Sequence, residues 1–453
     1  MALVGLAAAY WAVTGQNSLL LRDDNPRIIE AQRAILRGGI YGRGARPLAI
    51  TVDRESGLAR RYQHPSTYSI VGYYSLRYGV GGAESAYDAL LTGAQPIANV
   101  TDYFRRNILN QPQIGTDIML TLDVDIQDSL ARALDGAAGT AVVLDAHTGA
   151  VVALVSQPSF DPNSLDADWS ELIEAPGKPF FNRALQGNYQ LGGNMHLIWL
   201  AQAIASGFDL SWRFTGAADE VDLGDGMISA CVIPPDSTEL TLGEAFAFGC
   251  PAVFESYRQT ETALAYADML APYVFDDPLT LAGFPQPEAI DLAADAGSLS
   301  PAILALRDAL GQGSLTTTPL HLATILAAIA NDGLAVEPAL LSDLRSPDSL
   351  QWQPQPLGSS GLRMMDAETA RGLQHWMRAA QAKLWPAAQS PPLFGAYIAR
   401  SYAGEETQLW LNGFVESAND GALAFVVLLE STDEVSRILN IGRELHNIFS
   451  YRR

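Results

Sequence analysis

Lysine is nearly absent from this chain of 453 residues, which contains only Lys178 and Lys383. A serine hydroxyl becomes a useful nucleophile when a neighbouring base takes its proton, and a buried lysine can be that base because burial lowers its pKa. When such a serine and lysine are three positions apart in a helix, in the sequence S-x-x-K, both side chains lie on one helix face. The residues three before and one after each lysine are Ala175 and Pro179 for the first, and Ala380 and Leu384 for the second. The chain therefore contains no S-x-x-K, K-T-G or K-S-G sequence, which excludes lysine-assisted serine chemistry of this type.

Other catalytic signatures are also missing. The histidines and the two cysteines show no H-x-x-x-H or C-x-x-C spacing, so we predict no metal site and no cofactor. No G-x-x-x-x-G-K-(S/T) and no G-x-S-x-G sequence exists, which excludes a phosphate loop and a hydrolase elbow. The six histidines are His64, His147, His196, His321, His375 and His446.

Positive charge is scarce relative to negative charge. Lys and Arg number 28 against 50 Asp and Glu, which gives a formal net charge of −22. Such a surface disfavours nucleic acid, so we expect no nucleic-acid partner, and it is repelled by anionic lipid.

The apolar pattern predicts strands at both ends of a mostly helical region. Residues 141–144 and 151–155 are apolar runs around a turn, which indicates a β-hairpin, and residues 423–429 indicate a buried strand. Helical spacing covers residues 125–134, and Thr318 followed by Pro319 is typical of a helix N-terminus. Residues 434–449 indicate a closing helix, and residues 346–361 a surface loop. This order predicts an α+β domain whose sheet is assembled from both ends of the domain.

The segment from Phe181 to His196 resembles the active site of penicillin-binding protein transpeptidase domains. The last six positions of that family's segment read P-G-S-T-F-K, in which the serine is the nucleophile and the lysine its base. Gly193 and His196 occupy those two positions here. Glycine offers no side chain for an acyl-enzyme, and His196 has no hydroxyl three residues before it to activate. We weigh two interpretations of His196, a tolerated helix residue and a ligand contact.

The other two motifs of the family are also replaced. In the S-x-N motif, Gly249 and Pro251 stand in place of the serine and the asparagine. The family's K-T-G strand, which supplies a cation for the substrate carboxylate, corresponds to Arg400, Ser401 and Tyr402. Arg400 keeps a positive charge that can bind a carboxylate, Ser401 keeps a hydroxyl, and Tyr402 adds a ring where glycine normally admits the substrate. We therefore predict possible ligand contacts at His196, Arg400 and Ser401.

The resemblance extends over nearly the whole chain. It includes R-G-G-I-Y-G-R-G at 37–44, G-Y-Y-S at 72–75, G-A-E-S-A-Y-D at 82–88, L-T-L-D at 120–123, S-F-D-P-N at 159–163, G-Q-G at 311–313 and T-P-L at 318–320. The implied fold is the penicillin-binding or serine β-lactamase-like transpeptidase fold, a central antiparallel sheet flanked by helices, with a smaller N-terminal pedestal. We place the pedestal at residues 14–116 and the transpeptidase-like domain at 117–453.

The family usually carries one N-terminal membrane anchor and faces peptidoglycan. Residues 1–13 resemble the end of such an anchor, although 12 apolar residues are too few when a spanning helix needs about 20. A short buried or interfacial helix is the alternative. The implied extracytoplasmic location would allow a disulfide between Cys231 and Cys250, but the sequence leaves that pairing open.

Three hypotheses follow from these substitutions. The first is a catalytically inactive cell-envelope protein that acts as a scaffold or regulator of peptidoglycan synthesis, with a membrane glycan polymerase as partner and peptidoglycan peptides as a possible ligand. The second is an enzyme of different chemistry that uses His196 in the same cleft, or a protein that retains residual binding of penicillin or wall peptides there. The third is a degenerate gene product without a selected role.

Overall fold

The computed structural model describes residues 35–54, 57–94, 113–260, 266–287, 299–358, 360–385, 394–404, 406–417 and 421–450. Strands and helices are numbered along the chain. The strands are β1 (Ile40–Gly42), β2 (Arg46–Arg54), β3 (Gly57–Tyr62), β4 (Tyr73–Ser75), β5 (Gly79–Gly81), β6 (Asp117–Leu120), β7 (Gly139–Asp145), β8 (Val151–Gln157), β9 (Tyr189–Gln190), β10 (Arg213–Thr215), β11 (Val221–Asp222), β12 (Ile228–Ser229), β13 (Glu239–Thr241), β14 (Thr316–Thr317), β15 (Leu341–Arg345), β16 (Gln353–Pro354), β17 (Phe394–Ala403), β18 (Glu406–Ser417) and β19 (Gly421–Leu429). The α-helices are α1 (Tyr68–Val71), α2 (Ala83–Ala86), α3 (Asp88–Thr92), α4 (Val124–Ala133), α5 (Leu165–Glu174), α6 (Met195–Ala205), α7 (Leu242–Phe248), α8 (Pro251–Thr260), α9 (Tyr266–Leu270), α10 (Pro301–Ala309), α11 (Pro319–Ala330), α12 (Ala367–Leu384) and α13 (Val435–Ser450).

A five-stranded antiparallel sheet in the order β17-β18-β19-β7-β8 forms the centre of the larger domain. Helices α11 and α12 pack on one face of this sheet, and α4 and α13 pack on the other. Because both faces are covered, β7 and β19 read as continuous apolar runs rather than as alternating patterns. The predicted α+β domain, with a sheet assembled from both of its ends, is confirmed.

Most of the locally predicted elements are present. The hairpin is β7–β8, and the predicted helix at 125–134 is α4. The Thr318 side chain caps α11 by accepting a hydrogen bond from the backbone N–H of His321, with Pro319 as the first helical residue. The region 346–361 differs from the predicted loop, because Gln353 and Pro354 form β16, which pairs with β15.

The pedestal contains a six-stranded sheet in the order β16-β15-β6-β1-β2-β3. Strand β6 pairs with β1 in parallel and with β15 antiparallel. Three strands of this sheet, β6, β15 and β16, lie after residue 116. The sheet therefore crosses the predicted domain boundary at residues 116 and 117.

Two of the pedestal segments that carry the resemblance meet in a buried ion cluster. The Arg37 Nε lies 2.6 Å from Glu84 Oε2, and the Arg60 Nε lies 2.7 Å from Glu84 Oε1. Arg37 also contacts Asp88 at 2.6 Å. Burial alone would raise the pKa of Glu84, but the two arginines more than offset it and hold that pKa below its usual value.

The predicted anchor-like segment at residues 1–13 lies outside the described residues. Within the part of the chain that the structure describes, no helix combines the length and the apolar character that a membrane crossing requires.

Candidate functional site

Gly193, which the resemblance assigns to the position of the nucleophile, lies in a 3₁₀ turn, Gly192–Asn194, that leads into α6. The turn is pressed against β17, the edge strand of the central sheet. A Cβ atom added to Gly193 would lie 3.3 Å from both Ala399 Cβ and Arg400 N. Gly192 has a φ of +52°, and a Cβ there would lie 2.2 Å from Arg400 O. The turn and the strand therefore meet closely where the family places its serine.

His196, at the position of the family's base, lies in the protein core. Its side chain is 4% exposed and stacks on Phe254, with ring centroids 4.1 Å apart and an angle of 4° between the planes. Burial lowers the pKa of His196 to about 3, so the imidazole is neutral at physiological pH. This placement favours a tolerated core residue over a ligand contact.

The two residues at the positions of the second motif, Gly249 and Pro251, lie where one helix ends and the next begins. Gly249 ends α7 in a left-handed conformation with a φ of +64°, and Pro251 begins α8. A Cβ atom on Gly249 would lie 2.7 Å from Val232 Cγ2. A serine at this position would therefore be strained in its backbone and obstructed by a neighbour.

A cross-linked segment packs against this second motif. Cys231 and Cys250 form a disulfide with a Cα–Cα distance of 3.9 Å, which settles the pairing that the sequence left open. The Ile233 N–H donates a hydrogen bond to Phe248 O at 3.1 Å. Val232, 7% exposed, belongs to the same hydrophobic cluster as Ile398 of β17. Residues 228–233, which we call the covering segment, thus fill space next to the edge strand.

The third motif splits between the two faces of β17, because successive strand residues point in opposite directions. Arg400 Nη2 lies 2.6 Å from Asp433 Oδ1, and its side chain is 14% exposed. Tyr402 lies on the same face, and burial raises the pKa of its hydroxyl, although the nearby Arg400 partly offsets this effect. The cation is therefore already paired with a carboxylate of this chain.

Ser401 points to the opposite face and is fully buried. Its hydroxyl donates to Gln408 Oε1 at 2.8 Å and accepts from Trp410 Nε1 at 2.8 Å. Both partners are residues of β18, so the hydroxyl serves the packing of the sheet. No base in the described part of the chain contacts the Ser401 hydroxyl, so nothing there activates this hydroxyl as a nucleophile.

Sequence reasoning missed a buried polar cluster beneath the turn. Asn194 Oδ1 accepts hydrogen bonds from the Tyr397 hydroxyl at 3.1 Å and from Asn412 Nδ2 at 2.7 Å. Asn194 Nδ2 and Asn412 Oδ1 have no partner among the described residues. The only sequence feature that could have indicated this cluster is the occurrence of single polar residues within apolar strands. The cluster ties the start of α6 to β17 and β18.

The motif positions bring together no nucleophile with a base and no unpaired cation. Among the residues that the structure describes, no group of three or more His, Cys, Asp or Glu side chains has a geometry that could hold a metal ion.

Comparison with known proteins agrees with this architecture. The penicillin binding protein transpeptidase domain family matches residues 139–388, and the penicillin binding protein A dimerisation domain family matches residues 37–118. The peptidoglycan D,D-transpeptidase PbpA of Mycolicibacterium smegmatis is 29% identical over 347 residues, which cover 72% of this chain and 68% of that protein. The peptidoglycan D,D-transpeptidase MrdA of Escherichia coli is 33% identical over 159 residues, 31% of this chain and 25% of that protein.

A solved structure extends the likeness to three dimensions. The imipenem acyl-enzyme complex of penicillin-binding protein A from Mycobacterium tuberculosis aligns with a TM-score of 0.77 at 25% identity, covering 92% of this chain and 98% of that one. Because the transpeptidase family matches more than half of the chain and the dimerisation family matches the region before it, this chain belongs to the penicillin-binding protein transpeptidase family, as a class B penicillin-binding protein.

Proposed function

We propose that this protein is a catalytically inactive member of its family that acts as a scaffold or regulator of peptidoglycan synthesis in the bacterial cell envelope. The observation that carries the proposal is the contact at Gly193. The residue has no nucleophile, and its backbone lies so close to Ala399 and Arg400 that even a Cβ atom would be tightly placed.

Each further requirement of acyl transfer is lost in a separate way. The base position holds His196, a neutral imidazole stacked in the core. The carboxylate-binding cation, Arg400, is neutralised by Asp433. Since acylation needs an activated nucleophile and electrostatic stabilisation together, repair of one position leaves the others deficient.

The pedestal supports a role in binding partners. Its Arg37, Glu84 and Arg60 side chains form a buried ion cluster in which both carboxylate oxygens of Glu84 are paired, whereas the motif positions of the catalytic domain offer no nucleophile with a base. We infer a membrane glycan polymerase as a partner on the extracytoplasmic face of the membrane, by analogy with the family. Peptidoglycan peptides remain an alternative ligand, for which Asp433 would have to release Arg400.

Intact-mass spectrometry after incubation with a fluorescent penicillin tests the inactivity. We expect no covalent adduct on the folded, monodisperse protein, because no motif position offers a nucleophile with a base. Penicillin-binding protein A of M. tuberculosis, which forms a penicillin G acyl-enzyme complex, is the positive control. A stoichiometric adduct that is lost on prior denaturation would refute the proposal, and mapping of the labelled peptide would locate the true nucleophile.

The partner role requires a second measurement. A photo-crosslinker placed on the exposed pedestal residue Arg77 should capture an envelope protein in cells. The same crosslinker at the exposed Arg371 of α12 is a control for surface proximity, and equal capture from both positions would argue against a specific pedestal partner.

A further inference from the structure

Strand β3 leaves part of one edge of the pedestal sheet unpaired. Its antiparallel register with β2 runs from Ala49 opposite Tyr62 to Arg54 opposite Gly57. The Gln63 N–H donates to Leu48 O, which fixes the alternation: odd-numbered residues of this strand direct their backbone groups toward β2. The backbone groups of Leu58 and Arg60 therefore point outward, and no described residue hydrogen-bonds to them. An exposed edge of this kind can accept another strand.

A side chain closes the edge at one end. The Tyr62 N–H donates to Asn163 Oδ1 at 3.0 Å, and Asn163 Nδ2 donates to Tyr62 O at 3.2 Å. The amide of Asn163 thus takes the place that a neighbouring strand would take. It confirms that even-numbered residues face outward, and it restricts the free edge to Leu58 and Arg60.

A cavity of about 830 Å³ lies in front of the same edge. Leu58 and Arg60 line it together with aromatic residues of the β4–β5 hairpin and Trp169 of α5. Trp169 stacks on Tyr78 with ring centroids 4.2 Å apart. A free strand edge beside an aromatic pocket is the arrangement by which domains bind extended peptides: the edge supplies main-chain hydrogen bonds and the pocket receives a side chain.

The side chains around the cavity are mainly basic, which bears on the kind of ligand that can bind there. Among the described residues, Arg37, Arg60 and Arg77 line it and Asp88 is the one acidic residue of the lining; Arg37 and Arg60 are also paired with the buried Glu84, so Arg77 and the free Nη2 of Arg60 carry the available positive charge. Arg60 Nη2 has no acceptor among the described residues, although the side chain is only 4% exposed. Residues 35–94 contain seven arginines and four acidic residues in a chain whose formal net charge is −22. This local surplus of positive charge favours an acidic ligand.

We infer that the pedestal binds an extended acidic segment of a partner envelope protein as an added strand along Leu58 and Arg60. The inference rests on the proposed partner role and specifies its surface. The segment pairs with the outward N–H and C=O groups of both residues, places one side chain in the aromatic cavity and directs its carboxylates toward Arg77 and the unpaired Nη2 of Arg60.

Binding of two short labelled peptides to the full chain tests this inference by fluorescence anisotropy. One peptide alternates valine with glutamate, and the other alternates valine with lysine. We expect the glutamate peptide to bind at least about tenfold more tightly at low salt, with the difference falling as salt screens the charges. Equal binding of the two peptides, or no binding of the glutamate peptide, would overturn the inference.

Variants at one position separate the strand edge from the side chain. Leu58→Pro removes an outward N–H but no hydrogen bond to β2, and an edge strand tolerates proline at such a position. We expect Leu58→Pro to weaken the affinity for the glutamate peptide by about tenfold or more. Leu58→Ala keeps the N–H and should reduce the affinity less. If Leu58→Pro does not fold, Arg77→Glu on the exposed rim should give a comparable loss through charge reversal. Unchanged binding in folded Leu58→Pro, or in Arg77→Glu, contradicts the model of strand addition.

Other occupants give distinct results. Vesicles of phosphatidylglycerol that displace the peptide would assign the arginines to lipid and overturn the inference. A photo-crosslink from position 58 to residues 95–112 of the same chain, which connect to the cavity residues Ala94 and Gln113, would identify an internal occupant and also overturn it. A penicillin adduct would refute catalytic inactivity without affecting the peptide result, and absence of peptide binding would leave the proposed inactivity standing.

Discussion

Replacement of Glu84 by glutamine should selectively unfold the pedestal. Both carboxylate oxygens are used, one by Arg37 at 2.6 Å and the other by Arg60 at 2.7 Å, and the three side chains are at most 4% exposed. Glutamine keeps the shape but has one oxygen and no charge, so its NH₂ group would face an arginine donor. Removal of one partner from a buried ion pair destabilises by about 3–5 kcal/mol, because it leaves an uncompensated charge.

Hydrogen exchange of the β2 and β3 amides measures this effect locally, which matters because a multidomain chain does not unfold in one step. A loss of about 3–5 kcal/mol corresponds to roughly 150- to 5000-fold faster exchange in those strands. The amides of β7 and β19 in the central sheet should exchange at the rate of the unmodified protein and serve as an internal reference.

Asp88→Asn is the matched control. Asp88 also pairs with Arg37, but its side chain is 46% exposed, so we expect the change to cost no more than about 1 kcal/mol. If Glu84→Gln and Asp88→Asn accelerate exchange equally, or if Glu84→Gln leaves it unchanged, the reasoning from burial is refuted.

Three further predictions concern the larger domain and pH. Gly193→Ser combined with His196→Lys should give no penicillin adduct by mass spectrometry and should lower thermal stability, because the lysine ammonium would be buried against Phe254; a stable, acylated double variant contradicts this. Because His196 has a folded-state pKa of about 3, against about 6.5 when unfolded, its contribution to stability is present above pH 6.5 and is lost as the pH falls toward 3; urea titrations should show a shallower loss in His196→Phe. Reduction of the disulfide, which spans a sequence separation of 19 residues, should destabilise by about 3 kcal/mol and accelerate exchange in the covering segment first; uniform acceleration over the whole chain would indicate that the segment is not a local unit.

The sequence predicted well what depends on local spacing. The hairpin β7–β8 follows from two apolar runs around a turn, and the cap of α11 follows from Thr318 before Pro319. The replacement of the three motifs stays a prediction, because the positions of the motifs come from the resemblance alone.

The packing of the turn and the covering segment against the motif positions could not be predicted, because it depends on contacts between residues that are distant in sequence. Gly193 meets Ala399 across about 200 positions of sequence, and Val232 meets Gly249 through a pairing of cysteines that spacing left open. Arg400 was predicted as a possible ligand contact, but its direction depends on which face of β17 it occupies and on Asp433. The pedestal sheet likewise joins Asp117 to Arg345, a pairing that no local pattern indicates.

The contrast between the two regions bears on the hypothesis of a degenerate product without a role. A buried cluster of Arg37, Glu84 and Arg60 is a vulnerable feature, because loss of any one member leaves unpaired charge at a cost of several kcal/mol. Sequence change without selection would reach such a cluster as readily as the catalytic turn, and most single changes there would be destabilising. In this chain the turn carries Gly193 at the position that the resemblance assigns to the serine, whereas both oxygens of Glu84 are paired with arginine. That difference favours selection on the pedestal, as expected under the proposed role in binding a partner.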